Sequence, residues 1–153
     1  MTNEAAAWWI SSVLISVSDL DRSATFYQDV LGIHEVFRED QVAILGANTR
    51  GSFTLVLRQA RRGGLRSGQQ ALGARTLMFD VGSGAELDRV QARLTAVDAF
   101  RKREFFDAAE TIELVIGRDP DRLPVIFRAN EEGKIPTEAD FHMGLARMYA
   151  VDV

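Results

Sequence analysis

The chain has 153 residues, 46% of them apolar, with 18 basic and 22 acidic side chains for a formal charge of -4. That size and apolar share suit one compact domain with its own core, and the near balance of charge offers no field for nucleic acid or an anionic membrane. Without cysteine, disulfides, thiolate catalysis and Cys-ligated zinc or iron-sulfur centres are excluded, and His34 and His142 are the only imidazoles.

In chain order, residues 10–17 alternate, with Val13, Ile15 and Val17 on one face and Ser12, Leu14 and Ser16 on the other, which predicts a strand. Ser18 followed by Asp21 reads as a capping box. Leu20, Ala24, Tyr27 and Leu31, with Phe26 and Val30 alongside, form a helical stripe that Gly32 ends. Three short apolar runs follow at 34–37, 41–45 and 52–57, broken by turns at 38–40 and 48–51. Then the pattern restarts. Residues 75–81 alternate, Ser83 and Glu86 make a second capping box, and Leu87, Val90, Leu94 and Val97 recur at helical spacing. Strand-like runs lie near 104–106, 111–116 and 124–128, and a last helix is capped by Thr137 with a stripe of Phe141, Leu145, Met148 and Tyr149.

Ser12 sits in its strand where Thr76 sits in the other, an offset of 64, so the chain reads as an internal duplication. The fold class expected is α+β: two tandem βαβββ modules forming a curled mixed sheet around a cleft, plus a C-terminal helix. Module one spans about 8–60, a linker about 61–73, module two about 74–130 and the helix about 136–149, all in a single domain. Glycine and arginine dominate the linker region, and the five arginines from Arg58 through Arg75 offer either a solvated link or an attraction for an anionic ligand.

The stretch Val17-Ser18-Asp19-Leu20-Asp21-Arg22-Ser23-Ala24-Thr25-Phe26-Tyr27-Gln28-Asp29-Val30-Leu31-Gly32 resembles the first-helix signature of the vicinal-oxygen-chelate superfamily of glyoxalases, bleomycin-resistance proteins and extradiol dioxygenases. Leu77-Met78-Phe79-Asp80-Val81 and Asp119-Pro120-Asp121 resemble it in module two, with Arg122 where the pattern usually has glycine. The resemblance implies paired modules around a ligand cleft, often with a divalent metal whose ligands would fall at Ser12, Val56, Thr76 and Ile126. Hydroxyls bind a dication weakly and hydrocarbons not at all, so the expectation is a divergent member without metal ligands and with no cofactor.

Ser12, Leu14, Ser16, Thr54, Val56, Thr76, Met78, Ile126 and Arg128 are expected to line the cleft as an apolar pocket with few polar points, alongside Asp80. The alternative is that the Leu, Met and Ile members fill the cleft as ordinary core. His34 beside Glu35, and His142 beside Asp140, are candidates for a relocated metal or an acid/base pair, against the plainer reading of solvated histidines. Trp8 and Trp9 stack on a flat ligand or pack at an interface, and of the adjacent Phe105 and Phe106 only one reaches the pocket. Arg128 meets a ligand anion or pairs with Asp80 or Glu113. No nucleotide-binding or nucleophile-elbow motif is present.

The leading functional expectation is metal-independent binding of a small apolar or aromatic organic ligand, possibly natural-product or antibiotic sequestration. The alternative is a glyoxalase-like or dioxygenase-like lyase or isomerase with a relocated metal or a metal-free site. No apolar run approaches the ~20 residues needed to span a bilayer, and the N-terminus lacks a signal-like pattern, so a cytoplasmic protein with no membrane or nucleic-acid partner is expected. A homodimer is expected because half-sheets leave edges to cover, and closure of the modules within one chain or across two stays open.

Overall fold

The computed structural model describes residues 12–47, 53–60, 76–105 and 112–129. The chain divides into two compact units, Met1–Gly64 and Leu65–Val153. In the first run β1 (Ser12–Val17), α1 (Leu20–Leu31), β2 (His34–Glu39), β3 (Val42–Gly46) and β4 (Thr54–Gln59). In the second run β5 (Leu77–Val81), α2 (Gly84–Ala96), β6 (Phe100–Phe105), β7 (Glu113–Arg118) and β8 (Pro124–Ala129). Each unit builds a four-stranded mixed sheet, in the orders β1-β4-β3-β2 and β5-β8-β7-β6. The outer strand β1 or β5 runs parallel to its neighbour, and the remaining pairs are antiparallel. This is the α+β fold of two tandem βαβββ modules that the duplicated pattern predicts. The expected linker and C-terminal helix, with Trp8, Trp9, Phe106 and His142, lie outside the described residues.

Each helix buries one face of its own sheet. Leu20, Ala24, Phe26, Tyr27 and Val30 of α1 are buried together with Val17, Ala43, Leu45, Leu55 and Leu57 of the strands. The α1 N-cap is Asp19, whose Oδ1 accepts from the Arg22 N–H at 2.9 Å, rather than the expected Ser18. The Ser18 hydroxyl instead accepts from the Arg22 guanidinium at 3.1 Å. At the other end Gly32 takes φ 66, the left-handed value that a residue without Cβ adopts without strain, and its N–H returns to Gln28 O at 2.9 Å.

In α2 the Ser83 hydroxyl accepts from the Glu86 N–H as expected, and Leu87, Val90 and Leu94 are buried. Val97 does not extend that stripe. It is the C-cap and is exposed, because the chain turns through Asp98 at φ 54 and the Ala99 N–H returns to Leu94 O at 2.8 Å.

The sixth strand begins at Phe100, earlier than the run near 104–106 suggested, since Arg101, Lys102 and Arg103 break any apolar alternation there. Both edge strands carry the same irregularity, a register shift between Glu35 and Phe37 in β2 and between Phe100 and Lys102 in β6. Beyond each shift an arginine turns towards the helix. Arg38 binds Glu35 and, at 2.7 Å, Asp21 of α1, while Arg103 binds Glu113 and, at 2.6 Å, Asp88 of α2. The duplication thus extends from strand order to individual ion pairs.

The Arg38 hydrogen bonds hold the Glu35 carboxyl below the ordinary glutamate range, against a smaller opposing effect of burial. A lowered folded-state value stabilises the fold in full above the unfolded value, and the contribution fades as pH falls through the lowered one. With both groups partly solvated, the worth is below about 1 kcal/mol. Glu35→Gln is therefore expected to cost little at neutral pH and to flatten the loss of stability below about pH 5, read from urea midpoints across pH.

Between β7 and β8 the buried Asp119 carboxylate accepts from the Asp121 N–H at 2.9 Å and the Leu123 N–H at 2.8 Å, closing the turn. Arg122 in that turn holds φ 70, a left-handed conformation costing an ordinary residue about 1–2 kcal/mol. Arg122→Gly is expected to raise stability by up to about 1 kcal/mol, less what glycine gains in unfolded-chain freedom, as a higher urea midpoint at unchanged slope.

Candidate functional site: the helix-averted sheet faces

Alternation along a strand sends every second side chain away from the helix, and register fixes which of these meet. In the first unit they form three rows across the sheet: Ser12, Thr54, Gly46 and His34; Leu14, Val56, Ile44 and Phe37; Ser16, Arg58, Val42 and Glu39. All five candidates of this unit, Ser12, Leu14, Ser16, Thr54 and Val56, share that face. The middle row is apolar from edge to edge and open, with Leu14 59% and Phe37 51% exposed and Val56 and Ile44 half-buried. Sequence reasoning missed Ile44, Phe37 and Arg58. Ile44 and Phe37 sit in short apolar runs that by themselves do not tell one face from the other, and Arg58, the first of the five arginines around the linker region, belongs to β4.

In the second unit Met78, Ile126, Ile116 and Lys102 form one helix-averted row and Asp80, Arg128, Leu114 and Glu104 the next. This face is closed where the first is open. Leu114 and Ile126 have no exposed surface, and with Ile112 and Ile116 they form a buried cluster that Met78 packs against. Arg128, 16% exposed at its side chain, gives both Nε and Nη2 to Asp80, at 2.6 and 2.8 Å. Glu113 does not share Arg128. It lies on the helix side and binds Arg103 at 2.6 and 2.9 Å, which pushes the Arg103 guanidinium to still higher pKa. Lys102 approaches Glu104 Oε1 at 3.0 Å, yet that buried oxygen has no aligned donor, so the contact is electrostatic without a hydrogen bond.

The four positions to which the family pattern assigns metal ligands do not suit a dication. Ser12 and Val56 face the same way in the first unit but supply a hydroxyl and a hydrocarbon. In the second unit the Thr76 hydroxyl donates to Pro124 O at 3.0 Å, and Ile126 is enclosed by hydrocarbon. Hard and borderline cations require carboxylate, imidazole or carbonyl donors in number. Among the described residues, relocation finds no better set. His34 is exposed and lies three strands from Ser12, roughly 14 Å at ordinary strand spacing. Asp80 and Glu113 point to opposite faces of their sheet, so no single ion reaches both. Among the described residues there is no group of three or more His, Asp or Glu able to hold a metal. Phe105, exposed in the edge strand β6, shares its row with Glu113 on the helix side, away from the candidate residues. No helix among the described residues is long and apolar enough to cross a membrane.

The profile of the Glyoxalase/Bleomycin resistance protein/Dioxygenase superfamily matches residues 9–127, and the chain belongs to that superfamily. Among solved structures it is similar to a glyoxylase/bleomycin resistance protein/dioxygenase domain from Frankia sp. EAN1pec, at 26% identity and TM-score 0.70, covering 84% of this chain and 96% of that one. A lactoylglutathione lyase from Agrobacterium tumefaciens aligns at 23% identity and TM-score 0.62, over 85% and 97% of the two chains. The fosfomycin resistance protein FosX from Listeria monocytogenes aligns at 14% identity and TM-score 0.64, over 84% and 98%. No curated protein matches in sequence.

Proposed function

We propose that this chain binds a small organic ligand, apolar or aromatic, without a metal, on the open helix-averted face of its first unit. The observation that carries the reading is the donor set. Where the family pattern calls for imidazole and carboxylate stand Ser12 and Val56 in the first unit and Thr76 and Ile126 in the second, and the first unit carries an open apolar row from Leu14 to Phe37. Burying a drug-sized ligand against such a surface needs shape and apolar area rather than a titrating group. Sequestration of a natural product or antibiotic fits that chemistry, and the fold shared with a fosfomycin resistance protein is compatible with it. A homodimer covering the sheet edges, in the cytoplasm, completes the proposal.

The test is a thermal-shift screen of apolar and aromatic compounds on metal-stripped protein, where a ligand at about 100 times its Kd adds about 2.7 kcal/mol. Saturable stabilisation by one such compound class supports the reading. The likeness in fold to a lactoylglutathione lyase favours a second one, an enzyme with a relocated metal. Elemental analysis of protein purified without chelator separates the two. Stoichiometric metal lost on His34→Ala would replace the binding reading with the enzymatic one.

A further inference from the structure

We propose that the ligand recognised by the first unit is a small organic anion, its apolar body lying on Leu14, Val56, Ile44 and Phe37 and its carboxylate-type group held by Arg58. This rests on the proposed ligand-binding function and names the chemical class of the ligand. The argument comes from comparing the chain with itself. Arg58 in β4 and Arg128 in β8 occupy the same place in their units: each lies two residues after the apolar Val56 or Ile126, and each has Val42 or Leu114 as its antiparallel partner. Their parallel partners differ. Arg128 faces Asp80 and is neutralised by it, whereas Arg58 faces Ser16.

The carboxylate that completes the second unit is thus replaced by a hydroxyl in the first, and the guanidinium stays exposed on the face. The Arg58 side chain has no ion pair or hydrogen bond among the described residues, and neither do the hydroxyls of Ser16 beside it or of Ser12 and Thr54 in the far row. Arg38, Arg89, Arg103 and Arg128, by contrast, each hold a carboxylate. The one carboxylate among the described strand residues of this face is Glu39, two strands from Arg58 across Val42, roughly 10 Å at ordinary strand spacing, and the imidazole of His34 lies in the far row.

A neutral ligand spread over the apolar row would strip water from Arg58 and return nothing. An anion restores the lost hydration with two parallel charge-assisted hydrogen bonds, and the low-dielectric surface beneath strengthens them. Ser16 adds a hydroxyl donor from the neighbouring strand, in the position from which Asp80 answers Arg128.

The probes are cinnamate and its neutral counterpart cinnamamide, titrated calorimetrically up to millimolar concentration into the full chain and into Arg58→Met, Ser16→Asp and Ser16→Asn, with each fold checked by circular dichroism. The unaltered protein is expected to prefer cinnamate by about tenfold or more. Arg58→Met and Ser16→Asp, the latter reproducing the neutralised pair of the second unit, are expected to abolish that preference while cinnamamide affinity stays within about threefold. Ser16→Asn is expected to retain it. Equal affinity of the two probes for the unaltered protein, or a preference for cinnamate that survives in a folded Arg58→Met or Ser16→Asp, overturns the anion inference and leaves ligand binding standing. Binding of neither probe overturns both.

Discussion

Phe127→Ala is expected to lower the stability of the chain by about 3–5 kcal/mol, the range for emptying a buried aromatic site. Phe127 is 1% exposed and stacks on Phe79, ring centroids 5.3 Å apart at 20°, with Val115 as its partner on β7. It lies on the helix side of the sheet, so its loss opens a cavity between β8 and α2 that the sheet backbone cannot collapse to fill. For a chain of this length the melting temperature should fall by roughly 6–20 °C. Phe127→Leu, keeping most of the volume, should lose clearly less. If Phe127→Ala melts within about 2 °C of the parent at equal protein concentration, the site is either solvent-filled or plastic, and Phe127 does not anchor the second unit.

Phe127 also marks the boundary between what the chain's pattern discloses and what only register discloses. The alternation of Val13, Ile15 and Val17 against Ser12, Leu14 and Ser16 was legible because one face of β1 is packed and the other is not, and a period of two leaves a direct trace in the residues. Gly32 and Ser83 were legible because caps depend on local backbone chemistry. Ser18 and Asp19, both good caps and adjacent, could not be separated by type, and the extended conformation of Asp19 decided between them. The β6 segment Phe100 to Phe105 was obscured because an edge strand tolerates charges on both faces, so Arg101, Lys102 and Arg103 carry no alternation. That no described residue pairs with the Arg58 side chain depends on Ser16 in another strand, and no local window contains both. One signal was nevertheless present: the offset that aligns Ser12 with Thr76 also aligns Ser16 with Asp80, and that comparison would have shown that the first unit has a hydroxyl where the second has a carboxylate.

Gly117→Val is expected to be the other strongly destabilising change, and its direction is opposite to what strand preference dictates, since valine outranks glycine in a strand. Gly117 faces α2 between its partners Phe100 and Val125. A Cβ there would lie 2.8 Å from Leu94 Cδ2 and 3.0 Å from Ala99 O. The Leu94 side chain is fully buried, so moving it aside disturbs its packed neighbours, and Ala99 O is fixed by the Arg118 N–H at 3.0 Å. Overpacking of this kind costs about 1–3 kcal/mol, which Gly117→Ala should approach and Gly117→Val should reach or exceed. The clash with Leu94 predicts coupling: in a Leu94→Ala background, already destabilised by its own cavity, Gly117→Val should cost markedly less than alone, because the valine methyls enter the space that leucine vacates. Strictly additive free energies in that double-mutant cycle would place the cost in the Ala99 carbonyl and the backbone instead of the side-chain contact.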